Sequence, residues 1–299
     1  MSARRWATGA GDNAAAALAT FQEGLPIRLI ETPRDAFETC RPDEEMSVVV
    51  ARNQGGFDYF PVVECVDGIR KRIIGLVELV PFIHGAESRG FVRDQMRPLS
   101  EENLIGADAS LLTFIRTADR QKCRLVVSGP QINGLVSISD LQRLPVRAAL
   151  FAMVTHLEIT MAHAIRSEFD QSEDWINRLS AERISKVRNK VAEAKSQDAF
   201  VDSLLFTEFC DKVTIVKNSP DFQWSKKSFD RDLAQVQALR NDLAHANDYA
   251  ATREAACHVC ETVRLMDQWL SRLATWPTEP AGPAKDGDSK RSDRGDQQP

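Results

Sequence analysis

The sequence lacks the features that mark membrane and secreted proteins. No apolar run approaches the roughly 20 residues that a membrane-spanning helix needs, and residues 1–20 are too weakly apolar to form a convincing signal sequence. The six cysteines are scattered without a disulfide framework, so we expect reduced thiols. These absences predict a cytoplasmic protein without membrane contact, in which residues 1–20 form a flexible arm.

Two further absences argue against a metal site and against nucleic-acid binding through overall charge. The stretch Cys257-His258-Val259-Cys260 has no second ligand pair at zinc-finger spacing, so no metal site is predicted there. The formal net charge of −5 gives no bulk attraction for nucleic acid, so any RNA contact has to be local. The candidate is a basic run, for which a solvated helix face is the alternative; it contains Arg178, Arg183, Lys186, Arg188, Lys190 and Lys195, with Lys226 and Lys227 further on.

Length and patterning favour two domains. A chain of 299 residues with 43% hydrophobic and 27% charged residues is long enough to bury two cores. Short apolar runs separated by turns fill residues 21–144, and long helical patterns fill residues 145–276. We predict the α+β class, with an α/β repeat followed by an all-α helical bundle. Residues 277–299 turn to Pro, Gly, Asp, Lys and Ser and are predicted to be disordered.

A helix and strand-hairpin pattern occurs twice within the N-terminal half. In the first copy, apolar segments 58–64 and 72–77 are joined by a turn at Asp67-Gly68. In the second copy, segments 124–128 and 132–137 are joined by a turn at Gly129-Pro130. Helical stretches are predicted at 34–41 before the first hairpin, at 110–119 before the second, and at 138–144 after the second. An internal repeat of this kind indicates two related structural units.

The repeat resembles a pair of CBS domains (cystathionine-beta-synthase modules). The second copy carries the family's Gly-h-h-Ser/Thr-x-x-Asp signature as Gly134-Leu135-Val136-Ser137-Ile138-Ser139-Asp140. The resemblance implies an adenine nucleotide as a regulatory ligand, with Ser137 facing phosphate at a helix start and Asp140 accepting from ribose hydroxyls. The first copy has Gly75-Leu76-Val77-Glu78-Leu79-Val80-Pro81 instead, with Glu and Pro where Ser and Asp are expected.

The serine signature has two interpretations, nucleotide binding and helix capping. Ser137 and Asp140 also match an N-cap with a first-turn acid, which is the commonest use of Ser-x-x-Asp before an apolar helix. Arg116 and Arg120, near the second copy's first helix, either face phosphate groups or lie exposed on the surface. The signature therefore predicts a nucleotide cleft at the second copy, and the Glu and Pro of the first copy argue against a second one.

The C-terminal half is predicted to contain a series of amphipathic helices. They cover 145–169, 175–194, 201–216, 228–247 and 252–276. Near the end of the fourth helix lies Leu239-Arg240-Asn241-Asp242-Leu243-Ala244-His245, in which an Arg and a His are five residues apart. Arg supplies a fixed positive charge and His a proton shuttle, which are the groups that cleavage of an RNA phosphodiester needs. Asn241 and His245 are one turn apart, whereas Arg240 points about 140° from His245.

This half resembles a HEPN domain (the higher eukaryotes and prokaryotes nucleotide-binding family), whose ribonuclease members carry Arg-x4–6-His with a polar residue after the Arg. The resemblance implies a homodimer with a composite, metal-independent site, in which His245 is the general acid and base. Arg240 would stabilise the pentacovalent phosphate and Asn241 would orient the 2′-hydroxyl or the phosphate. The alternative is that Arg240 pairs with a nearby acid and His245 is a plain exposed residue.

The sequence therefore predicts a cytoplasmic, dimeric, nucleotide-regulated endoribonuclease of the toxin or defence type, which cleaves RNA by 2′-hydroxyl attack without a metal or another catalytic cofactor. The alternative is a non-catalytic, adenine-nucleotide-sensing adaptor whose helical bundle only dimerises or docks a partner.

Overall fold

The computed structural model describes residues 16–18, 20–21, 24–66, 70–85, 87–170, 172–196 and 202–276. Within these residues the protein is a mixed α+β structure with a helical C-terminal region, as the patterning predicted. The predicted turn at Asp67-Gly68 and the predicted disordered tail at 277–299 lie outside the described residues. Most of the predicted arm at 1–20 also lies outside them, and residues 16–18 and 20 are helical.

Two antiparallel hairpins form the centre of the N-terminal half. The first pairs β2 (Tyr59–Val66) with β3 (Arg70–Glu78), and the second pairs β6 (Cys123–Ser128) with β7 (Gln131–Ser137). The registers are equivalent: Tyr59 lies opposite Glu78 in the first hairpin, and Cys123 lies opposite Ser137 in the second. The predicted duplication of strand hairpins is therefore confirmed, with the ends of equivalent strands at equivalent places.

A two-residue strand completes each hairpin, and a glycine makes room for it. The strand β1 (Thr32–Pro33) pairs with β7, and β4 (Arg97–Pro98) pairs with β3. A Cβ on Gly134 would lie 2.7 Å from the Thr32 carbonyl oxygen, and one on Gly75 would lie 2.4 Å from the Arg97 carbonyl oxygen. The signature glycine of each copy thus allows a close backbone approach that a side chain would block.

The second sheet has one further strand, β5 (Leu104–Gly106), which runs parallel to β6. Four short helices accompany the hairpins: α1 (Met46–Arg52), α2 (Val80–Ile83), α3 (Val92–Gln95) and α4 (Leu111–Ile115). The helix predicted at 34–41 is absent, and this segment consists of turns and extended chain. The backbone of Cys40 forms hydrogen bonds with the backbone of Pro61 and Val63 in β2. The backbone of Arg34 is also held, because its amide donates to Asn133. Tertiary pairing with strands therefore overrides the local helical pattern, and the first copy's helix is α1.

Five longer helices form the C-terminal half: α5 (Leu144–Glu168), α6 (Ala181–Ser196), α7 (Phe209–Lys217), α8 (Lys226–Ala244) and α9 (Arg253–Ala274). The predicted single helices at 175–194 and 201–216 each begin with a separate 3-10 turn, Asp174–Arg178 and Ser203–Phe206. A 3-10 helix at Ile138–Gln142 links β7 to α5 in place of the helix predicted at 138–144.

The hydrophobic core does not stop at the end of the repeat. One continuous cluster of buried side chains includes Phe114 and Val136 from the second copy and Leu157, Val236 and Trp269 from the helices. A separate cluster lies between the two hairpins, where Tyr59, Leu76, Cys123 and Leu135 pack together. The second copy and the helical region therefore share a core, and movement of one is resisted by the other.

The central helix of this core is α5. By length and composition it is the one described helix that is long and apolar enough to cross a membrane, although half of its most apolar window is buried inside the protein. It packs against α7, α8 and α9. Its buried face explains its apolar composition, because a helix at the centre of a bundle is covered on most sides.

Candidate functional site

A cleft with a volume of about 280 Å³ lies beside the second copy's signature. Its wall includes Ser137 and Asp140, which the sequence predicted, and Arg143 at the start of α5. Most of the remaining lining comes from the first copy and from β1, so that the two copies together form the cleft. We call this the serine cleft; it is lined by Thr32, Phe37, Glu38, Gly56, Phe57, Asp58, Tyr59, Leu135, Ser137, Ser139, Asp140 and Arg143.

Asp140 is held in place at the floor of the serine cleft. Its Oδ2 accepts hydrogen bonds from the Ser137 amide at 2.7 Å and from the Ser137 hydroxyl at 3.3 Å. Its Oδ1 lies 2.7 Å from Nε of Arg143. Burial raises the pKa of Asp140, and the bonds from Ser137 and Arg143 oppose that rise. The N-cap arrangement considered from the sequence is therefore present, and Oδ1, whose partner is Arg143, still has a lone pair for a further donor.

Two phenylalanines give the serine cleft an aromatic wall that the sequence did not reveal. Phe37 lines the cleft after β1, and Phe57 lines it just before β2. The Asn53 side chain holds the Phe57 backbone, donating to its carbonyl at 2.8 Å and accepting from its amide at 2.9 Å. A Cβ on Gly55 would lie 2.4 Å from the Phe57 ring, so the glycine makes room for the ring. The pair Gly55-Gly56 directly before Phe57 is the sequence signal that points to this loop.

The equivalent cleft of the first copy is smaller and contains Glu78 where the serine cleft contains Ser137. Its volume is about 90 Å³. Glu78 accepts from the Tyr59 hydroxyl at 3.2 Å, from Arg97 at 3.1 Å and from Arg253 of α9 at 3.3 Å. We call this the glutamate cleft; it is lined by Tyr59, Leu76, Glu78, Arg97, Asn103, Arg120, Lys122 and Cys123. Its own side chains occupy the hydrogen-bonding positions that a ligand would use.

The two arginines that the sequence offered as phosphate contacts have different places. Arg116 donates to both carboxylate oxygens of Asp267 on α9, at 2.7 and 2.9 Å, so its guanidinium joins the repeat to the last helix. Arg120 lines the glutamate cleft. Arg264 of α9 forms a second such joint, donating to both oxygens of Asp119.

The motif residues Arg240, Asn241 and His245 lie together at the C-terminal end of α8. Asn241 and His245 are exposed and Arg240 is half-buried. Among the described residues none of the three side chains forms a hydrogen bond or ion pair, so Arg240 is not paired with a neighbouring acid as the alternative reading proposed. The structure places the three on one helix end but does not join them through hydrogen bonds.

The end of α8 is fixed by Arg147 of α5. Its guanidinium donates to the carbonyls of Asp242 and Leu243 at 3.2 Å and to that of Asn247 at 2.6 Å. The chain turns at Ala246, which has a positive φ of 55°, and the Asn247 amide donates back to Asp242. This is the Schellman ending of a helix, in which a glycine is the usual residue.

Three members of the basic run form ion pairs, as is expected of a solvated helix face. Arg183 pairs with Asp211 and Glu208, and Lys190 pairs with Glu208. Lys186 pairs with Glu182, and Arg178 lies over the Phe169 ring. Within the described part of the chain this leaves no ion pair on Arg188, Lys195, Lys226 and Lys227.

The described residues contain no group of three or more His, Cys, Asp and Glu side chains placed to hold a metal. Cys260 is buried, and burial raises the pKa of its thiol to about 12. Such a thiol is protonated at neutral pH and is a poor metal ligand.

No protein-family model and no curated protein matches the chain. Similar solved structures include the CBS domain of the bacterial CNNM/CorC family Mg2+ transporter in complex with ATP (19% identity, TM-score 0.33, covering 44% of this chain and 93% of that one). They also include CBSX2 in complex with AMP (18%, 0.33, 42% and 97%) and a haemolysin-like protein containing a CBS domain from Oenococcus oeni PSU (14%, 0.33, 42% and 93%).

These matches are CBS-domain structures, the family that the N-terminal repeat resembles. They cover less than half of this chain, at TM-scores below 0.5. The HEPN resemblance of the helical region finds no support in these comparisons and stays a prediction.

Proposed function

We propose that the serine cleft binds an adenine nucleotide and that the protein is a nucleotide sensor. The observation that carries the proposal is the meeting of three chemistries in one cleft of about 280 Å³: an aromatic wall, a fixed carboxylate and a cation. Phe37 and Phe57 suit a flat base, because aromatic rings stack on any base. Asp140 suits two ribose hydroxyls, and Arg143 suits a phosphate.

The charges of the cleft favour a nucleotide with few phosphates. Arg143 is the one cationic residue in the described lining, and it already pairs with Asp140. Glu38 and Asp58 add negative charge to the same lining. Each additional phosphate would meet these carboxylates, so AMP is expected to bind more tightly than ATP. Two of the similar solved structures hold AMP and ATP, respectively.

The test is calorimetric titration of the purified full chain with AMP, ADP and ATP. We expect binding to the wild type in the order AMP, ADP, ATP and loss of most of the affinity in Asp140→Asn, which keeps the shape but removes the charge. The matched control is Arg120→Gln in the glutamate cleft, which should bind AMP as the wild type does. No binding of any of the three nucleotides to the wild type would overturn the proposal.

A second proposed function is RNA cleavage at Arg240, Asn241 and His245. The observation that favours it is that these three polar side chains lie at one accessible helix end without partners among the described residues. A side chain that forms no hydrogen bond or ion pair within the fold is free to contact a substrate. Because Arg240 and His245 diverge on the helix, the proposal requires a homodimer in which the two copies complete each other's site.

An exposed apolar strip beside this end of α8 supports the dimer. Leu144 is 75% exposed and Phe151 is 49% exposed, and both lie on α5 within about one turn of Arg147. Arg147 touches the end of α8 directly. Large exposed apolar side chains on neighbouring turns are typical of a surface that a partner covers. The apolar strip and the motif therefore lie on one side of the molecule.

The test of cleavage is incubation of the full chain with total RNA in EDTA, followed by analysis of the new ends. We expect 2′,3′-cyclic phosphate ends from the wild type and none from His245→Ala or Arg240→Ala. The matched controls are His258→Ala and Arg231→Ala, which remove an exposed side chain of the same type elsewhere on the helices. Cleavage that survives His245→Ala and Arg240→Ala would overturn this proposal. A wild type that does not cleave RNA would leave the protein as a sensor that docks a partner.

Location in the cytoplasm remains a prediction.

A further inference from the structure

A single side chain connects the floor of the serine cleft with the segment that follows the Arg240 motif. The Tyr249 hydroxyl donates to the carbonyl of Leu141, which is the residue directly after Asp140. Tyr249 and Leu141 are both buried, so this hydrogen bond is shielded from water. Burial also raises the pKa of Tyr249 to about 12, so the hydroxyl remains a donor at neutral pH.

Arg147 ties the same tyrosine to the end of α8. Its guanidinium carbon lies 5.0 Å from the centre of the Tyr249 ring, which is the distance of a cation–π contact. The same guanidinium holds the three carbonyls of Asp242, Leu243 and Asn247. The backbone around His245 is therefore positioned by a cluster that also touches the turn bearing Asp140.

The cleft has a contact through which a ligand would disturb this cluster. Asp140 Oδ1 is held by Arg143, and Arg143 is also joined to Thr32 across the cleft. A ribose hydroxyl that donates to Asp140 competes with Arg143 for the carboxylate. Arg143 immediately precedes α5, and Arg147 lies one turn further along. The continuous helix α5 therefore connects Arg143 with Arg147, the residue that holds the end of α8.

We infer that occupancy of the serine cleft is transmitted to the Arg240 and His245 end of α8 through Tyr249 and Arg147. This inference rests on the proposed nucleotide binding. The regulated segment is residues 241–252, and Tyr249 and Arg147 are the two side chains that carry the coupling. A ligand shifts this segment only if it binds differently to its two arrangements, and the competition for Asp140 supplies that difference.

The experiment is hydrogen exchange of the full chain with and without saturating AMP, read by mass spectrometry over residues 241–252. We expect AMP to change the exchange rate of these amides by roughly fivefold or more in the wild type. Tyr249→Phe removes the hydrogen bond to Leu141 but lies outside the cleft lining, so AMP should still bind while the change in exchange is lost.

The matched control is Trp276→Phe, which removes a similar bond from a buried aromatic side chain, to the Asp221 carbonyl, away from the cleft. It should keep the AMP-dependent change. If Tyr249→Phe does not fold, Arg147→Lys serves the same purpose, because a lysine cannot hold three carbonyls with one planar fork.

The outcomes separate this inference from the proposal on which it rests. AMP that binds to the wild type without a change at 241–252, or a full change in Tyr249→Phe, overturns the coupling and leaves nucleotide binding intact. No AMP binding to the wild type overturns the proposed function itself. Loss of the change in Tyr249→Phe with the change kept in Trp276→Phe supports the coupling.

Discussion

The serine cleft and the glutamate cleft are built from the same scaffold and differ in what occupies them. In both, a strand start lies opposite a strand end, and a glycine three residues before that strand end admits a two-residue strand. At the strand end one cleft has Ser137 and the other has Glu78. The short serine leaves a space of about 280 Å³, whereas the glutamate with its arginine partners leaves about 90 Å³.

The difference shows how a duplicated fold can separate binding from assembly. Glu78 and Asp58 both pair with Arg253 of α9, so that the first copy's strand ends hold the helical region. The second copy's strand end holds Asp140 in a cleft. Glu78 thus helps to make one cleft a joint to α9, whereas the equivalent Ser137 leaves space in its counterpart.

Placing the glutamate in the open cleft is expected to have the largest effect. Ser137→Glu would fill the serine cleft and set a second negative charge beside Asp140, which is costly at a buried position. We expect AMP affinity to fall by about a hundredfold, or about 3 kcal/mol. Calorimetric titration measures it, with Glu78→Gln as a control that changes the other cleft. AMP bound equally well by Ser137→Glu would show that the ligand lies elsewhere.

Removing the aromatic wall tests what the sequence signature alone does not contain. Phe57→Ala deletes one of the two phenylalanine rings that line the serine cleft, and loss of one stacked base costs about 1–3 kcal/mol. We expect AMP to bind about tenfold more weakly, with melting temperature little changed because Phe57 is 41% exposed. Phe91→Ala, at a similarly exposed phenylalanine outside the cleft, is the control. Equal loss in both variants would contradict the assignment.

The reverse change asks whether a serine is sufficient to make a nucleotide cleft. In Glu78→Ser, Arg97 and Arg253 lose a partner, and we expect about 1 kcal/mol less stability in urea unfolding. We expect the stoichiometry to remain one nucleotide per chain, because Pro81 lies where the second copy has Asp140. Titration that reveals a second nucleotide in Glu78→Ser would mean that the serine alone decides occupancy.

Acid should loosen the joint to α9 in a small, defined window. Burial raises the pKa of Asp119, but hydrogen bonds from Arg264 outweigh burial and lower it below its ordinary value of 3.8. A carboxyl with a lowered folded pKa stabilises the protein above its unfolded pKa, and this contribution is lost as pH falls through the folded value. We expect melting temperatures to fall less steeply below about pH 4 in Asp119→Asn than in the wild type. Asp108→Asn, at an exposed carboxylate, should follow the wild type.

The sequence predicted the elements better than their ends. The two hairpins, the long helix α5 and the helices α8 and α9 lie where alternation and helical spacing placed them, because each buries a long apolar pattern. The helix at 34–41 was wrong because strand pairing competes with local propensity there. The helices at 175–194 and 201–216 are divided by turns that residue spacing alone does not reveal.

Only some residues of the candidate sites could be predicted from the sequence. Ser137, Asp140, Arg240, Asn241 and His245 could be named from their motifs, since each motif is contiguous in sequence. Phe37 and Phe57 could not, because they reach the cleft from the other copy; the pair Gly55-Gly56 marks the loop before Phe57 but does not reveal which cleft the ring lines. Arg116 was misplaced for the same reason: its partner Asp267 is about 150 residues away.

By itself, the sequence determined the α+β class, the duplicated hairpins and the identity of the polar groups, because periodicity and short motifs are local properties of the chain. The tertiary structure alone decided which cleft is open, which arginines are already paired and that Tyr249 links the Asp140 turn to the end of α8. Those outcomes depend on side chains from distant segments competing for the same partners, and such competition is resolved only when the chain packs.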